Sequence, residues 1–336
     1  MKVLVTGSAG FIGSHVTRLL VEQGFQVRAL HLPNENLYHL QGLDVETMAG
    51  DITDVNTMRK ACKGCQRVFH LAAIYALWLK APRLMRRVNV EGSRIVLEAA
   101  KAEGVERVIY TSSIARFGGQ GLNHPATELS PFALANSGSE YAITKAEGHE
   151  IAVAAARNGQ DVVIVAPTGP IGPGDIGPTP TGKLLLTCAK APVVTIPPTR
   201  SNFCDVRDIA QGHVLAAEKG RSGESYLLGH RDLSIQQLAE ITMQVLGVKR
   251  RIVTVPFSLA EWTGKAAYWH SEHINHKPPI ITHHAVAIAR KGLTADCSKA
   301  VIELGLPQSP IEKAVADALE WFHQYRHGSG QRRRAS

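Results

Sequence analysis

The most constraining feature of the chain is a strand-like run at its start that leads into three closely spaced glycines. Residues 3–6 read Val-Leu-Val-Thr, Gly7, Gly10 and Gly13 follow, and apolar residues then recur at helical spacing. This order predicts a strand, a tight turn and an amphipathic helix. Gly7 permits the turn, Gly10 permits close approach of a pyrophosphate, and Gly13 lets the helix lie close to the strand. The segment therefore predicts a dinucleotide site.

The start of the predicted helix supplies the phosphate contacts. Its first N–H groups have no partner within the helix and lie at the positive end of the helix dipole, so Phe11 and Ile12 are expected to contact the cofactor. A glycine turn without a ligand is the alternative. A further strand at residues 26–30 makes that alternative less favoured, because it completes the strand-helix-strand context of a dinucleotide site.

Strand-like and helix-like segments alternate through the first half of the chain. This alternation predicts an α/β fold, a Rossmann-type doubly wound parallel sheet with helices on both faces. Ligands of such sheets bind beyond the carboxyl ends of the strands. Strands are predicted at residues 2–6, 26–30, 45–49, 67–71, 107–111 and 162–166.

The alternation stops after Ala166. Residues 167–180 are so rich in Pro and Gly that they can form neither a helix nor a central strand. The chain has 336 residues, of which 44% are hydrophobic, and exceeds the usual size of one domain. We therefore expect the segment to lead into a second, smaller lobe that binds substrate and is mostly helical.

The chain carries a formal net charge of +8, which at first favours an anionic partner. Part of the excess lies in the last residues, where Arg332, Arg333 and Arg334 belong to a predicted flexible basic tail. A phosphate-bearing cofactor accounts for more of it. We expect no nucleic-acid partner, and a nucleic-acid or membrane handle in the tail is the less favoured alternative.

No stretch approaches the roughly 18 apolar residues of a membrane helix. The start, Met1-Lys2-Val3, enters a strand at once and leaves no room for a signal peptide. These features predict a cytoplasmic protein without membrane insertion.

Cysteine and histidine spacing predicts no metal site. Five cysteines are an odd number, which argues against a disulfide framework, and Cys62 and Cys65 have redox-motif spacing without a second pair. His270, His273 and His276 lack a flanking carboxylate or cysteine pattern. We expect structural cysteines, and histidines that are exposed or face the substrate.

The end of the second predicted strand bears on the type of cofactor. NAD sites carry an Asp or Glu there for the adenine ribose, whereas basic residues accommodate a 2′-phosphate. This chain has Arg28 in the strand and His31 at the place of the acid. The pattern favours NADP(H), with NAD(H) as the alternative.

Tyr141 and Lys145 lie four residues apart on a predicted helix and so share one face. A phenol of ordinary pKa is a poor base at neutral pH, but a nearby lysine cation favours the phenolate. Tyr141 is therefore the expected general acid or base, and both side chains can reach one cofactor ribose.

Four motifs in this order resemble the extended short-chain dehydrogenase/reductase family, also described as the NAD-dependent epimerase/dehydratase family. They are the glycine turn, His-Leu-Ala-Ala at 70–73, the strand end at 109–113 and Tyr-x-x-x-Lys. The dihydroflavonol-reductase-like and hopanoid-associated sugar-epimerase-like groups are the most similar, the second through residues 172–175 and 178–182.

The resemblance implies roles for several further residues. Ser113, with Ser112 as the fallback, would hydrogen-bond the substrate oxygen and complete a triad with Tyr141 and Lys145. Asn89 matches a motif position that either supports the site or packs. The remaining expected cofactor contacts are Asp51 and Ile52 at the adenine, Leu71, Ala72 and Ala73 near the nicotinamide ribose, and Pro167.

The resemblance also returns residues 203–220 to the first domain. The predicted nucleotide-binding domain is thus 1–166 with 203–220, the substrate lobe is 167–202 with 221–326, and the tail is 327–336. Family relatives often form homodimers through the helices that bear Asn89 and Tyr141, and a homodimer stays possible here.

Two enzyme hypotheses follow. In the first, an NAD(P)H-dependent oxidoreductase reduces a ketone or aldehyde to an alcohol. In the second, an epimerase or dehydratase acts on a nucleotide-linked sugar. Sugar-nucleotide relatives often hold the diphosphate with an Arg where this chain has Ser201, which favours the reductase. A cofactor sensor without turnover is the third hypothesis, disfavoured because such relatives usually lose the tyrosine.

Overall fold

Seven parallel strands form the main sheet, and six of them are those predicted from the sequence, each with its ends within one residue of the prediction. The computed structural model describes residues 1–332 except 77, 80 and 280. In space the strand order is β3-β2-β1-β4-β5-β6-β10. These strands are β1 (Lys2–Thr6), β2 (Gln26–His31), β3 (Val45–Ala49), β4 (Arg67–His70), β5 (Arg107–Thr111), β6 (Val162–Pro167) and β10 (Ser225–Leu228).

Helices cover both faces of this sheet, as a doubly wound fold requires. Side chains alternate along a strand, so Val3 and Val5 pack in the core under one layer of helices and Leu4 packs under the other. The first layer contains α1 (Phe11–Glu22) and α8 (Val206–Lys219). The second contains α2 (Val55–Cys62), α4 (Ser93–Ala102) and α6 (Glu140–Arg157). The short α3 (Pro82–Arg86) continues through a π-helical turn, Arg87–Gly92, into α4, and α5 (Ile114–Phe117) follows β5.

The second lobe combines helices with two small sheets. One sheet has the order β11-β9-β7, and in the other β8 pairs with β12. The strands are β7 (Gly169–Ile171), β8 (Val193–Ile196), β9 (Arg200–Asp205), β11 (Arg231–Ser234) and β12 (Arg251–Thr254). The helices are α7 (Pro180–Lys190), α9 (Ile235–Leu246), α10 (Phe257–His270), α11 (His283–Lys291) and α12 (Ile311–Arg332). Short helical turns lie at Tyr38–Leu40, Ala135–Ser137, Ser271–Asn275 and Ala300–Leu304.

Two predicted boundaries need correction. Strand β10 lies within the range 221–326 predicted for the substrate lobe, yet it pairs in parallel with β6 and extends the main sheet. The Pro/Gly-rich segment contains β7 at the edge of a three-stranded sheet, which agrees with the prediction that it forms no central strand. Helix α12 continues to Arg332, six residues into the predicted tail, because extending a formed helix costs little. Residues 333–336 lie outside the described residues.

Across the described ranges, no helix is both long enough and apolar enough to cross a membrane.

Candidate active site

The glycine turn brings the end of β1 against the end of β4. Gly7 has a φ of +68°, and a Cβ there would lie 2.8 Å from the backbone N and Cα of Ala72. A Cβ on Gly13 would lie only 2.0 Å from the carbonyl oxygen of Gly7. Both positions therefore require glycine, which is the packing that the sequence predicted for Gly13.

The first turn of α1 fits a phosphate group. Gly10 precedes the helix in an extended conformation and offers no side chain to cap it, and the first turn contains no acidic residue. The backbone N–H groups of Phe11 and Ile12 therefore have no partner from a capping side chain, and they lie at the positive end of the helix dipole. A dinucleotide would be held here by backbone N–H groups. An added Cβ on Gly10 would lie 3.2 Å from the carbonyl oxygen of Gly7.

The other predicted cofactor residues, apart from Arg28, lie at the carboxyl ends of neighbouring strands. Because the strands are parallel, these ends meet at one edge of the sheet. His31 ends β2 and Pro167 ends β6, while Asp51 with Ile52 follows β3 and residues 71–73 follow β4. Ile52 is buried and Asp51 is exposed, with its carboxylate accepting a hydrogen bond from the N–H of Thr53.

Arg28 does not reach this edge, which corrects its predicted role. Its guanidinium forms an ion pair with Glu46 at 2.9 Å and donates hydrogen bonds to the carbonyls of Lys60, Ala61 and Lys63. Three donated bonds at the end of α2 satisfy carbonyls that the helix leaves unpaired. Arg28 therefore stabilises the contact between α2 and the sheet.

His31 lies where the sequence placed it. Its side chain is nearly buried, and Nδ1 lies 2.8 Å from the carbonyl oxygen of Leu32. Strand β2 itself carries no carboxylate. In the following loop, Glu35 accepts a hydrogen bond from the N–H of Leu32.

Buried hydrogen bonds hold the ends of β1 and β4 together. Thr6 Oγ1 lies 2.8 Å from His70 Nδ1 and accepts a bond from the N–H of Ala72. His70 Nε2 lies 3.2 Å from Ser93 Oγ. Burial lowers the pKa of His70 to about 3, so the ring is neutral at pH 7 and acts as a structural link.

Ser113, Tyr141 and Lys145 converge at the same edge. Ser113 follows β5 and caps α5, where its Oγ accepts a bond from the N–H of Ala115 at 3.2 Å. Tyr141, in the first turn of α6, donates from its hydroxyl to Ser113 Oγ at 3.2 Å. One turn later, Lys145 Nζ donates to the carbonyl of Thr111 at 2.6 Å. The structure thus brings the three predicted catalytic residues together.

Burial governs the protonation of this group. It raises the pKa of Tyr141, while the hydrogen bond with Ser113 partly opposes that shift. It lowers the pKa of Lys145 to about 8, because removing an ammonium group from water disfavours the charge. The phenol is therefore protonated at neutral pH, and Lys145 is cationic but loses its proton in mildly alkaline solution.

Ser112, the fallback candidate, faces another partner. Its Oγ lies 3.2 Å from Nδ1 of His149, and its N–H donates to Val165 in β6. The described contacts of Tyr141 include Ser113 and not Ser112. Adjacent residues at a strand end point in opposite directions, so only one serine can face the tyrosine.

Asn89 supports the site by holding the loop after β4. Its Oδ1 accepts from the N–H of Ile74 at 2.8 Å, and its Nδ2 donates to the Ile74 carbonyl at 3.1 Å and to Thr144 Oγ1 at 3.2 Å. The side chain is buried. The sequence left open whether Asn89 supports the site or only packs, and these contacts are those of a residue that supports the site.

Tyr75 was missed in the sequence. Its ring meets that of Tyr141 edge-on with centroids 4.8 Å apart, and about half of its surface is exposed. Its only sequence signal is its place in the loop after β4, since no spacing rule relates residue 75 to residue 141. Tyr75 therefore borders the space into which Tyr141 faces.

The cysteines and histidines raised by the sequence do not form a second site. All five cysteines are buried and unpaired, and burial raises the pKa of the Cys62 thiol to about 12, which makes it a poor nucleophile. In the part of the chain that the structure describes, no three His, Cys, Asp or Glu side chains come together as a metal ion would need.

This sheet, its glycine turn and the residues at its carboxyl edge define a Rossmann-fold oxidoreductase that uses a nicotinamide cofactor. Residues 3–229 match the model of the NAD dependent epimerase/dehydratase family. The chain belongs to that family and to its extended short-chain dehydrogenase/reductase type.

Individual relatives match along nearly the whole chain. A Synechocystis protein named "Putative dihydroflavonol 4-reductase" is 38% identical over 96% of this chain and 94% of its own length. "Sterol demethylase protein B" of Methylococcus capsulatus is 30% identical over 96% of this chain and 99% of its own length. The crystal structure of gox2253 superposes with a TM-score of 0.85 at 35% identity, covering 96% of this chain and 98% of its own.

Proposed function

We propose that the protein is an NAD(P)H-dependent carbonyl reductase that converts a ketone or aldehyde into an alcohol. The observation that carries the proposal is the hydrogen bond from Tyr141 to Ser113 at 3.2 Å, with Lys145 one turn further along the same helix. Two hydroxyl groups this close to each other can both donate a hydrogen bond to one substrate oxygen.

Each residue has a distinct task in this reaction. The bound cofactor would supply a hydride to the carbonyl carbon. Ser113 holds the carbonyl oxygen, and Tyr141 donates its phenolic proton to that oxygen as negative charge develops. The cation of Lys145 stabilises the phenolate that remains. A tyrosine whose pKa is raised by burial is a protonated acid at neutral pH, as the reductive direction requires.

The surroundings of Tyr141 support an apolar substrate. Phe132, Ile288 and Leu293 pack with Tyr141 around a small core, and Tyr75 borders it on the exposed side. Ser201 takes the place at which sugar-nucleotide relatives often carry an arginine for the diphosphate, and its backbone bridges to Leu293. The reductase name of the Synechocystis relative agrees with this choice.

An epimerase or dehydratase acting on a nucleotide-linked sugar is the second candidate. The description of the matched family favours it, as does Arg200, an exposed cation next to Ser201. In that reaction Tyr141 and Ser113 would act on a sugar hydroxyl, and no cofactor would be consumed.

For the cofactor we propose NADP(H). The support is His31 at the end of β2, where a carboxylate would repel a 2′-phosphate. Arg28 gives no support, because its guanidinium is bound to Glu46 and α2.

The deciding experiment follows nicotinamide absorbance with NADPH, and separately NADH, against hydrophobic ketones and nucleotide sugars. We expect stoichiometric loss of NADPH with a ketone. Conversion of a nucleotide sugar without net cofactor loss would instead establish the second candidate. Loss of NADH in preference to NADPH would leave the reductase standing and reject the cofactor proposal.

A further inference from the structure

The outer side of α10 carries a row of exposed apolar side chains. Leu259, Trp262, Ala266 and Trp269 recur at helical spacing, and Ile274 follows in the turn after the helix. The exposed fractions of the four large side chains are 55% for Leu259, 76% for Trp262, 57% for Trp269 and 57% for Ile274. We call Leu259, Trp262, Ala266, Trp269 and Ile274 the α10 stripe.

The opposite side of α10 is the one that packs on the lobe. Ala260 and Gly264 are buried, and a Cβ on Gly264 would lie 2.8 Å from the backbone N of His283. The ring of Tyr268 meets His283 and His284 of α11 with centroids 5.0 and 5.5 Å away. Ala266, Trp269 and His270, by contrast, are exposed. Large exposed aromatics on one side of a helix mark an interaction surface.

The same region holds a concentration of positive charge. Residues 249–291 contain seven Lys and Arg residues and two Asp and Glu residues, in a chain whose net charge is +8. Lys249 and Arg251, just before α10, are exposed and form no ion pair within the described chain.

Both acidic residues of this region are already engaged. Glu261 forms ion pairs with Lys265 at 3.1 Å and with Arg290 at 3.0 Å. Glu272 accepts a hydrogen bond from Trp78 Nε1 at 2.8 Å. Cations therefore outnumber carboxylates in this segment, and Lys249 and Arg251 have no carboxylate partner among the described residues.

We propose that the α10 stripe docks the protein on an anionic membrane surface. Tryptophan prefers the membrane interface, and Leu259 and Ile274 can bury their side chains among the first acyl carbons. Lys249 and Arg251 would contact anionic headgroups. A second copy of the chain is a poorer occupant, because a symmetric contact would bring the same cations together. The docking is peripheral and independent of any reaction at Tyr141.

One hydrogen bond connects this surface to the candidate active site. Trp78, the donor to Glu272, lies in the loop that also presents Tyr75 to Tyr141. If the proposed function holds, the docked face lies beside that loop, and an apolar substrate could reach the site from the bilayer.

The test is co-sedimentation with vesicles of phosphatidylcholine containing about one-third phosphatidylglycerol, in about 100 mM NaCl. We expect the wild-type protein to pellet with these vesicles, and to bind pure phosphatidylcholine at least about tenfold more weakly. Trp262→Ser with Trp269→Ser should lower vesicle binding at least about tenfold. Lys249→Glu with Arg251→Glu should lower it to a similar extent.

Matched variants separate the surface from general changes in polarity or charge. Leu129→Ser removes an apolar side chain that is 94% exposed elsewhere, and Lys101→Glu with Arg157→Glu makes the same change of charge on exposed residues of α4 and α6. Both should bind vesicles as the wild type does. Absence of wild-type binding to the anionic vesicles, or equal loss in the control variants, would overturn the proposal. So would a dimer in light scattering that Trp262→Ser with Trp269→Ser dissociates, because the stripe would then bind a second copy.

Discussion

The hydroxyl of Tyr141 donates a hydrogen bond to Ser113 across the gap between α6 and the end of β5, at 3.2 Å. The two residues are 28 positions apart in the chain, and each is placed by its own backbone element. Ser139 caps α6 and starts the helix two residues before Tyr141, while Ser113 is the residue that caps α5. Their contact thus depends on two helix starts that both lie at the carboxyl edge of the sheet.

Tyr141→Phe should abolish most turnover and leave cofactor binding nearly unchanged. The variant keeps the ring but loses the proton donor, a loss that typically costs about 10²–10⁴-fold in kcat. Steady-state reduction and NADPH fluorescence titration measure the two effects. Tyr75→Phe is the matched control, because the ring contact with Tyr141 persists, and its kcat should stay near the wild-type value. Equal losses in both variants would contradict the assignment of the proton donor to Tyr141.

The rate of reduction should fall as the pH rises through about 8, where buried Lys145 loses its proton. The sign follows from the cationic form being the one that stabilises the tyrosine phenolate, and that form predominates below the pKa. Tyr141 does not cause this fall, because burial raises its pKa. A pH profile of kcat/KM checks the prediction, and Lys145→Arg should move the alkaline fall to higher pH. An unmoved profile in Lys145→Arg would assign the fall to another group.

His31→Asp should change cofactor preference from NADPH towards NADH by at least about tenfold, because a carboxylate at the end of β2 repels a 2′-phosphate and accepts from ribose hydroxyls. Arg28→Gln should leave that ratio unchanged. It should instead lower the free energy of unfolding by about 1–3 kcal/mol, because the carbonyls of α2 and Glu46 lose their donor. The ratio of dissociation constants and urea unfolding are the two measurements. A changed ratio in Arg28→Gln would mean that the guanidinium reaches the cofactor.

Asn89→Ala should lower both stability and activity, although Asn89 does not contact the reacting group. The change leaves the N–H and carbonyl of Ile74 without their partner, which costs about 1–3 kcal/mol, and frees the loop that carries Tyr75. Urea unfolding and the split between kcat and KM measure the result. Asn56→Ala, at an exposed position of α2, is the control and should change neither. A normal KM and kcat at full stability in Asn89→Ala would reduce Asn89 to packing.

The alternation of the sequence was sufficient to locate the sheet and the strand ends that form the site. Periodicity fixes strands locally, and parallel strands bring their carboxyl ends together, so the strand ends that bear Gly7, Ser113 and Pro167 could be located without long-range information. The roles expected for Ser113 and Pro167 came from the family resemblance. The alternation of side chains along β2 could also have distinguished Arg28 from His31 as a cofactor contact. They lie three positions apart on one strand, so their side chains point to opposite faces, and only one of them could serve the cofactor.

Features set by distant contacts could not be predicted in the same way. Strand β10 has four residues and is defined only by its pairing with β6, about 60 positions earlier in the chain. Periodicity alone does not distinguish Ser112 from Ser113. The family resemblance favoured Ser113, and the contacts of Ser112 with His149 and of Ser113 with Tyr141 give the physical difference between them. The apolar residues of α10 have the spacing of a buried face, and only the packing of Tyr268 against α11 shows which side is exposed.

Alanine substitutions at glycines should lower NADPH affinity and stability most where the added Cβ is most crowded. In Gly13→Ala the new Cβ would lie 2.0 Å from the Gly7 oxygen, so α1 must move away from the turn and its first amides with it. We expect a loss of at least about tenfold in NADPH affinity together with about 1–3 kcal/mol or more of stability, as for other overpacked sites. Gly10→Ala, with its contact at 3.2 Å, should be milder, and Gly177→Ala, which meets nothing within 4 Å, should bind NADPH normally. Calorimetric titration and thermal unfolding of the three variants would reveal the order. Normal NADPH affinity in Gly13→Ala would mean that the start of α1 does not hold the phosphates, because the added methyl group must displace the helix from the turn.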